Sequence, residues 1–580
     1  MEPPPYTAAR DVPEGDSLII ALDFGTTFSG IAYAFSTDSE KIYTITNWPG
    51  GEDLIAPKVP TVIRYDPGST TSFQWGYEIT SLDDKITGLK LLLDPDQPRP
   101  YFIPTNVEAE MAKLPKTVLE VASDYMGAVF KHALKEIESD SLDPSFLESF
   151  QKQFVLTVPA VWSDKAKDMT LRAARNAGIS PVSMITEPEA ASLYTLLSVK
   201  NKGLKSGDAI IICDAGGGTV DLVTYEIQSL NPFELKALTA PSGGVCGSLM
   251  LNHLFEEQIR KTLGDEAYVN LKKKPAYRSG LKDFDTAIKV AFRGKSDPDK
   301  FVSFPMADLK EDKALGLSKE SMTLTGSTMF RIFDPIIREI DRLVAEQVTK
   351  VRMERLELGN SNRAAVKAIF LVGGFGSSAY LKEVVEKSNP GILVIQPKDA
   401  WSAIVRGAVM SKLGLAPVIT ATKAPKHYGT SCNSTWQASR DRGYPKVRDM
   451  WEEEDKCEIM SWFIYMNDDL ARDKKIKLPF YRKWAGTNPS GSALEFEDQL
   501  YECQSMLAPE HPVDVKLNCT LKSDFNKVPK TCFVKKTRAS DSADYIEIHY
   551  NLQIENNQSG LMKFSLDIGG EEYSAVNATY

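Results

Sequence analysis

At 580 residues, with a net charge of −10 and a pI near 5.4, the chain has room for three or four domain-sized units and is too acidic for a nucleic-acid-binding surface. Hydrophobic content of 42% and charged content of 25% are those of a soluble globular protein. No run approaches the ~18 apolar residues of a membrane span.

The opening segment, residues 1–16, lacks the basic and apolar regions of a secretory signal and reads as a disordered tail. Seven cysteines stand at 213, 246, 432, 457, 503, 519 and 532, with no CxxC and no histidine at metal spacing. They fit reduced thiols in the cytoplasm. In that compartment the Asn-x-Ser/Thr triplets at Asn433, Asn518, Asn557 and Asn577 are chance matches.

From the N-terminus, SLIIALDFGTTFSGIAYAF (17–35) reads as an apolar strand, a Gly turn and a second strand. Residues 40–80 alternate short β-prone runs with Gly, Pro and Asp breaks, as in a small sheet extending the first. ITGLKLLLDPD (86–96) puts Lys90 in an apolar setting, and a Pro-rich loop (95–104) leads to an amphipathic helix at about 108–138. Residues 154–178 read as strand, Pro turn and helix, with Ser163 as N-cap and Gly178 at the C-terminal end. A short strand then ends at Thr186-Glu187-Pro188, where a helix opens with Glu187 beside its positive end.

AIIICDAGGGTVDLVTYEI (209–227) repeats the opening pattern of strand, Asp, glycines, Thr and strand. PSGGVCGSLMLN (241–252) is a Gly-rich turn feeding a helix, a potential anion seat. A long helix follows at about 328–356, then strand, glycines and helix at 364–387, then a helix at 399–414 ending on Gly414. The segment 415–426 lacks periodicity and reads as a linker. Beyond it, strict alternation at 545–554 and 562–568 about a turn at 558–560 predicts a hairpin with one buried face. The acidic run Glu452–Asp455 reads as a solvated loop.

Two copies of strand–Asp–x–Gly–x–(Thr/Gly)–Thr, about 190 residues apart, are hard to explain as core packing. They point to duplicated half-domains closing on one nucleotide, its phosphates on the N–H groups of Gly25–Thr27 and Gly217–Thr219. Asp23 and Asp214, at the strand ends, would hold Mg²⁺ through its retained waters. There is no GxxxxGK[ST], which excludes a P-loop.

LDFGTTFSGIAYAF, TVPAVWSDKAKDMTLRAARNAGI, ITEPEAASLYTL, CDAGGGTVDLVTYEI and FLVGGFGSSAYLKEVV together resemble the ATPase domain of the 70-kDa heat-shock chaperones, over about residues 17–414. The resemblance implies an α/β, actin-like ATPase fold of two duplicated lobes with mixed five-stranded sheets and helices. The lobes would be 17–203 and 204–414, followed by the linker and a β-rich domain at 427–580 that could bind a client.

It also implies roles. Lys90 matches the catalytic lysine; Glu187 and Asp221 match acidic residues near the metal, Glu187 as a candidate ligand. Asp23 and Asp214 match the Mg²⁺-positioning pair. Gly25, Thr26 and Thr27 match one phosphate loop, and Gly216, Gly217, Gly218 and Thr219 the other, with Thr219 near the γ-phosphate. Gly247 matches a middle phosphate-side glycine, Gly373 and Gly374 the adenosine-side turn, and Lys289 an adenine-ribose lysine. The implied cofactors are ATP/ADP and Mg²⁺, and the implied partners are protein clients or co-chaperones.

Three departures stand out: no acidic residues follow the middle glycines, no leucine-rich acidic linker follows Gly414, and no helical lid follows the last hairpin. With HYG at 427–429, they resemble the divergent twelve-type branch of the family. The expected function is a chaperone-like ATP-binding protein that hydrolyses ATP. The alternatives are a nucleotide-dependent scaffold with negligible turnover and a small-molecule kinase of the same superfamily.

Overall fold

The computed structural model describes residues 16–51, 53–80, 84–94, 110–139, 147–199, 203–357, 365–414, 418–471, 475–486, 494–538, 540–556 and 561–580. The chain forms two compact units, Met1–Ile419 and Thr420–Tyr580. The Pro-rich loop at 95–104, the start of the helix expected from 108 and the turn at 558–560 lie outside the described residues.

The first unit carries one strand plan twice. In the first sheet, Ser17–Asp23 pairs antiparallel with Phe28–Phe35, which pairs with Tyr43–Thr44, while Gln151–Val158 and Val182–Thr186 add in parallel on the other side. In the second, Ala209–Ala215 pairs antiparallel with Val220–Leu230, which pairs with Phe233–Gly244; Val366–Val372 and Leu393–Ile395 again add in parallel. Both opening strands are buried along their whole length, as their unbroken apolar runs predict. A mixed sheet with helices, laid down twice in one order, is the actin-like ATPase fold.

One apolar cluster joins the lobes: Ile19 and Ala21 of the first sheet, Ile210, Ile212 and Phe370 of the second, and Ala190, Val405 and Ala408 from two helices. Helix Gly326–Glu357 covers the other face of the second sheet through Phe333, Ile337 and Val344. Its buried Gln347 ties it down, accepting from Thr224 and Thr239 and donating to Ser242.

Three local expectations shift. The amphipathic helix runs Val118–Ser139 rather than from about 108, because Thr117 and Glu120 form a capping box that fixes its start. Ile63–Tyr65 and Phe73–Trp75 pair with each other as a separate ribbon instead of extending the first sheet. Within the expected linker, Val418–Lys423 is a strand.

The second unit is a broad antiparallel sheet. Its path runs Val447–Arg448, Asp455–Ile464, His427–Thr435, Glu495–Cys503, Lys516–Asp524, Glu571–Thr579, Met562–Ile568, Asp544–Asn556 and Lys475–Ala485. In the expected hairpin Leu552 faces Leu566 and Ile554 faces Phe564, so the alternating apolar residues share the buried face. Among its described residues there is no α-helix.

Buried Asp441 accepts both arms of Arg440 and contacts His511 Nε2 at 3.0 Å, with Tyr444 stacked on the imidazole and Cys457 alongside. The bidentate guanidinium, with Gln437 N–H also donating to Asp441 at 2.8 Å, makes the cluster an ion-pair anchor of the sheet.

Glu452 lies in the expected loop, but its carboxylate is ion-paired and only partly solvated. It gathers Lys456, Lys483 and the Tyr481 hydroxyl, and these bonds lower its carboxyl from an ordinary 4.5 to about 2. A depressed carboxylate stabilises the fold above its unfolded value and loses that contribution as the proton returns. The second unit should therefore lose thermal stability as pH falls from about 4.5 toward 2, and Glu452→Gln should flatten that slope in a Tm-versus-pH series.

Candidate active site

The two hairpin turns have the same length and register. Asp23 stands opposite Gly30 across the first, and Asp214 opposite Asp221 across the second. Their loops meet: a Cβ added at Gly217 would lie 2.4 Å from Thr27 Oγ1, and one at Gly218 would lie 2.8 Å from Thr26 Oγ1. Only glycine permits that approach. The turn before helix Leu249–Leu263 is laid against the same loop, with N–H donors from Gly247, Ser248 and Leu249 to the carbonyls of Gly218, Gly216 and Gly217. A Cβ at Gly247 would fall 2.3 Å from Gly217 O.

Around this seam lie four buried carboxylates, Asp23, Glu187, Asp214 and Asp221, and two buried ammonium groups, Lys58 and Lys90. Lys90 is delivered by the short 3₁₀ turn Leu89–Leu93, whose Leu89, Leu91 and Leu93 are buried, and it pairs with Glu187 at the start of helix Glu187–Val199. Its Nζ also lies 5.3 Å from the centre of the Trp162 ring. Asp221 accepts from Val161 N at 3.2 Å. Both oxygens of Asp23 are engaged, with Lys58 Nζ at 2.6 Å on Oδ2 and Thr157 Oγ1 at 3.0 Å on Oδ1.

The charges divide unevenly. Burial pushes the Asp23 carboxyl up, but the ammonium groups of Lys58 and Lys90 outweigh it and hold the group below the ordinary range. Burial, with Asp23 and Asp221 nearby, lifts Glu187 to about 7 despite Lys90. Asp221 is raised by burial, against its hydrogen bonds. Asp214 is raised well above the ordinary carboxylate range: burial dominates, and Glu187, Asp221 and Asp23 add like charge. Its Oδ1 is buried without a hydrogen-bond partner.

Carboxylates outnumber ammonium groups two to one, one carboxylate oxygen is orphaned, and a glycine-lined seam runs alongside. That donor set fits a hydrated divalent cation carrying phosphates. Gly373, at φ +80°, passes so close to Asp214 that a Cβ would lie 2.3 Å from Oδ1. Gly374 lies under Trp401, where a Cβ would stand 3.6 Å from Nε1.

The structure thus gathers Asp23, Gly25, Thr26, Thr27, Lys90, Glu187, Asp214, Gly216–Gly218, Thr219, Asp221, Gly247 and Gly373. Two expected phosphate contacts change character. The N–H groups of Gly216 and Gly247 are committed to Thr219 O and Gly218 O, so these glycines shape the turn rather than donate to a ligand. Lys289 bonds Asn252 Oδ1 at 3.1 Å and pairs with Asp285, and Asn252 lies on the helix that follows Gly247. Sequence reasoning missed Lys58, Thr157 and Trp162. Lys58 belongs to no motif, and its partner lies 35 residues away, visible only through the sheet register.

An actin-like pair of lobes with a lysine–glutamate couple and two aspartate hairpins at their seam defines a class of nucleotide-dependent proteins. The chain matches the family described as Hsp70 protein over residues 106–390, a little under half of its length. It is also similar to twelve-type members of that family. It is 27% identical over 502 residues to human heat shock 70 kDa protein 12B and 26% identical over 499 residues to human heat shock 70 kDa protein 12A, with 71% of each chain covered. Chaperone protein DnaK of Stenotrophomonas maltophilia is 24% identical over 377 residues, covering 61% of this chain and 53% of that protein.

Proposed function

We propose that the chain binds Mg²⁺-ATP at the seam of its two hairpins and hydrolyses it to ADP and phosphate in a chaperone-like cycle that engages a protein client. The carrying observation is the closure of Thr26 and Thr27 on Gly217 and Gly218, beside the Lys90–Glu187 pair. Thr26, Thr27 and Thr219 supply hydroxyls to the phosphates, and the glycines let phosphate oxygens approach the backbone. Asp214 and Asp23 would hold the hydrated ion, with Asp214 offering the unpartnered oxygen. Bound Mg²⁺ would supply positive charge against the phosphates.

Lys90 orients the attacking water and neutralises charge that develops on the γ-phosphate, while Glu187 and Trp162 hold its ammonium in place. Gly373, Gly374 and Lys289 line the adenosine side. None of the seven cysteines forms a disulfide, which supports a cytoplasmic setting. No helix among the described residues is long and apolar enough to cross a membrane. The β-rich unit is the segment we assign to the client.

A specific observation favours a second reading, a nucleotide-gated scaffold with little turnover: both lysines of the site are already locked to carboxylates. Calorimetry of the full chain with Mg-ATP and with Mg-ADP tests the shared claim. Saturable binding is expected with both, and no heat at millimolar nucleotide would sink it. Single-turnover hydrolysis separates the two readings.

A further inference from the structure

The duplicated hairpins differ at the position that faces the strand-end aspartate. In the second lobe Asp214 faces another carboxylate, Asp221; in the first, the matching position opposite Asp23 is Gly30. The missing side chain is used. The stem of Lys58 crosses the strand there, so that a Cβ at Gly30 would lie 3.0 Å from Lys58 Cγ and 3.6 Å from Cε. Lys58 precedes the short strand Val59–Pro60, which pairs with Phe28–Ser29 directly after the Gly25–Thr27 loop. Thr61 N–H donates to Thr27 O at 2.8 Å, and the Tyr77 hydroxyl donates to Lys58 O at 3.1 Å. The lysine is 5% exposed, and its ammonium enters the site on the side of the first phosphate loop.

We propose that Lys58 is a built-in cation of the phosphate site, which shares with Mg²⁺ the neutralisation of the nucleotide's phosphates and makes nucleotide binding partly independent of the metal. This rests on the nucleotide reading above. The reasoning is electrostatic. An ammonium ion with little water around it attracts phosphate far more strongly than an exposed lysine does. Asp23, with both oxygens already engaged, is the weaker of the two aspartates as a holder of metal-bound water. The metal then leans on Asp214, whose Oδ1 is unpartnered, and Lys58 supplies the positive charge on the other side. A fixed cation also persists when magnesium is scarce.

The test compares ADP affinity by calorimetry in magnesium buffer and in EDTA, for the full chain and for Lys58→Met and Lys58→Arg. The ratio of the EDTA Kd to the magnesium Kd should rise at least about tenfold in Lys58→Met and stay near wild type in Lys58→Arg. Should Lys58→Met fail to fold with Asp23 left unpaired, Lys58→Gln, whose neutral amide can still donate to Asp23, carries the test, with the same rise expected. An unchanged ratio, with binding weakened equally in both buffers, would overturn the role of Lys58 and leave the nucleotide site standing. Wild-type protein that binds no ADP even with magnesium would overturn both.

Discussion

Replacing Lys90 by alanine should lower single-turnover ATP hydrolysis by about two to three orders of magnitude and leave Mg-ADP affinity within about tenfold of wild type. The size of the effect comes from where the charge sits. Lys90 is 2% exposed, on a turn whose flanking leucines are buried, so its position is set by the core and not by solvent. A preorganised ammonium in a dry site acts on charge that develops in the transition state and contributes little to the ground-state complex.

The variant should fold. Removing a lysine from a buried ion pair ordinarily leaves a costly bare carboxylate. Here Glu187 already titrates near 7, and without Lys90 it takes up a proton and becomes neutral. Lys90→Ala/Glu187→Gln removes both charges and serves as the control for that step. Equal hydrolysis by wild type and Lys90→Ala would leave the scaffold as the better account of the protein.

The parts of the site legible in the sequence are those in which one short stretch carries the whole signal. Asp23 and Asp214 each end an apolar run and open a glycine turn, so strand, turn and carboxylate could be read together, and both hairpins form as expected. Lys90 and Glu187 were legible only through resemblance, since a lysine in LKLLL and an acid before a proline have ordinary explanations. Lys58 escaped because its role is created by register: the sheet brings Gly30 opposite Asp23, and the gap admits a side chain from a later loop.

The same limit applies to the committed amides. GGG and SGGVCG each look like phosphate turns, and only their mutual packing shows that Gly247 donates to Gly218. For the helix at Val118–Ser139, apolar spacing suggested an earlier start, whereas the local Thr117-x-x-Glu120 signal had the boundary. Glu452 was misread for want of its partners, as Lys483 and Tyr481 come from a strand some thirty residues on.

Asp214→Asn should move stability and binding in opposite directions. In the nucleotide-free protein Asp214 is a buried carboxylate opposite Asp221, with Glu187 and Asp23 adding repulsion and Oδ1 lacking a partner. Such an arrangement costs stability, because like charges directly across a strand pair repel and the desolvated group is poorly compensated. An amide removes the charge and brings a donor among carboxylates, so the Tm of the free protein should rise by about 2–4 °C. Binding should suffer: affinity for Mg-ADP should fall by at least about a hundredfold, with a much smaller loss in EDTA, because the lost group acts through the ion.

The pH dependence of the free protein follows from the same strain. Glu187 goes from an ordinary 4.5 to about 7 on folding, so the folded chain keeps a proton that the unfolded chain gives up. The stability tied to that group is complete below about pH 4.5 and is lost as the pH rises toward 7, the reverse of the Glu452 effect in the β-rich unit. Saturating Mg-ADP should flatten this loss in the wild type by compensating the ionised carboxylates, and should fail to do so in Asp214→Asn. A Tm that falls on this substitution, or a loss of affinity that is equal with and without magnesium, would make Asp214 a structural residue and move the ion to another carboxylate of the seam.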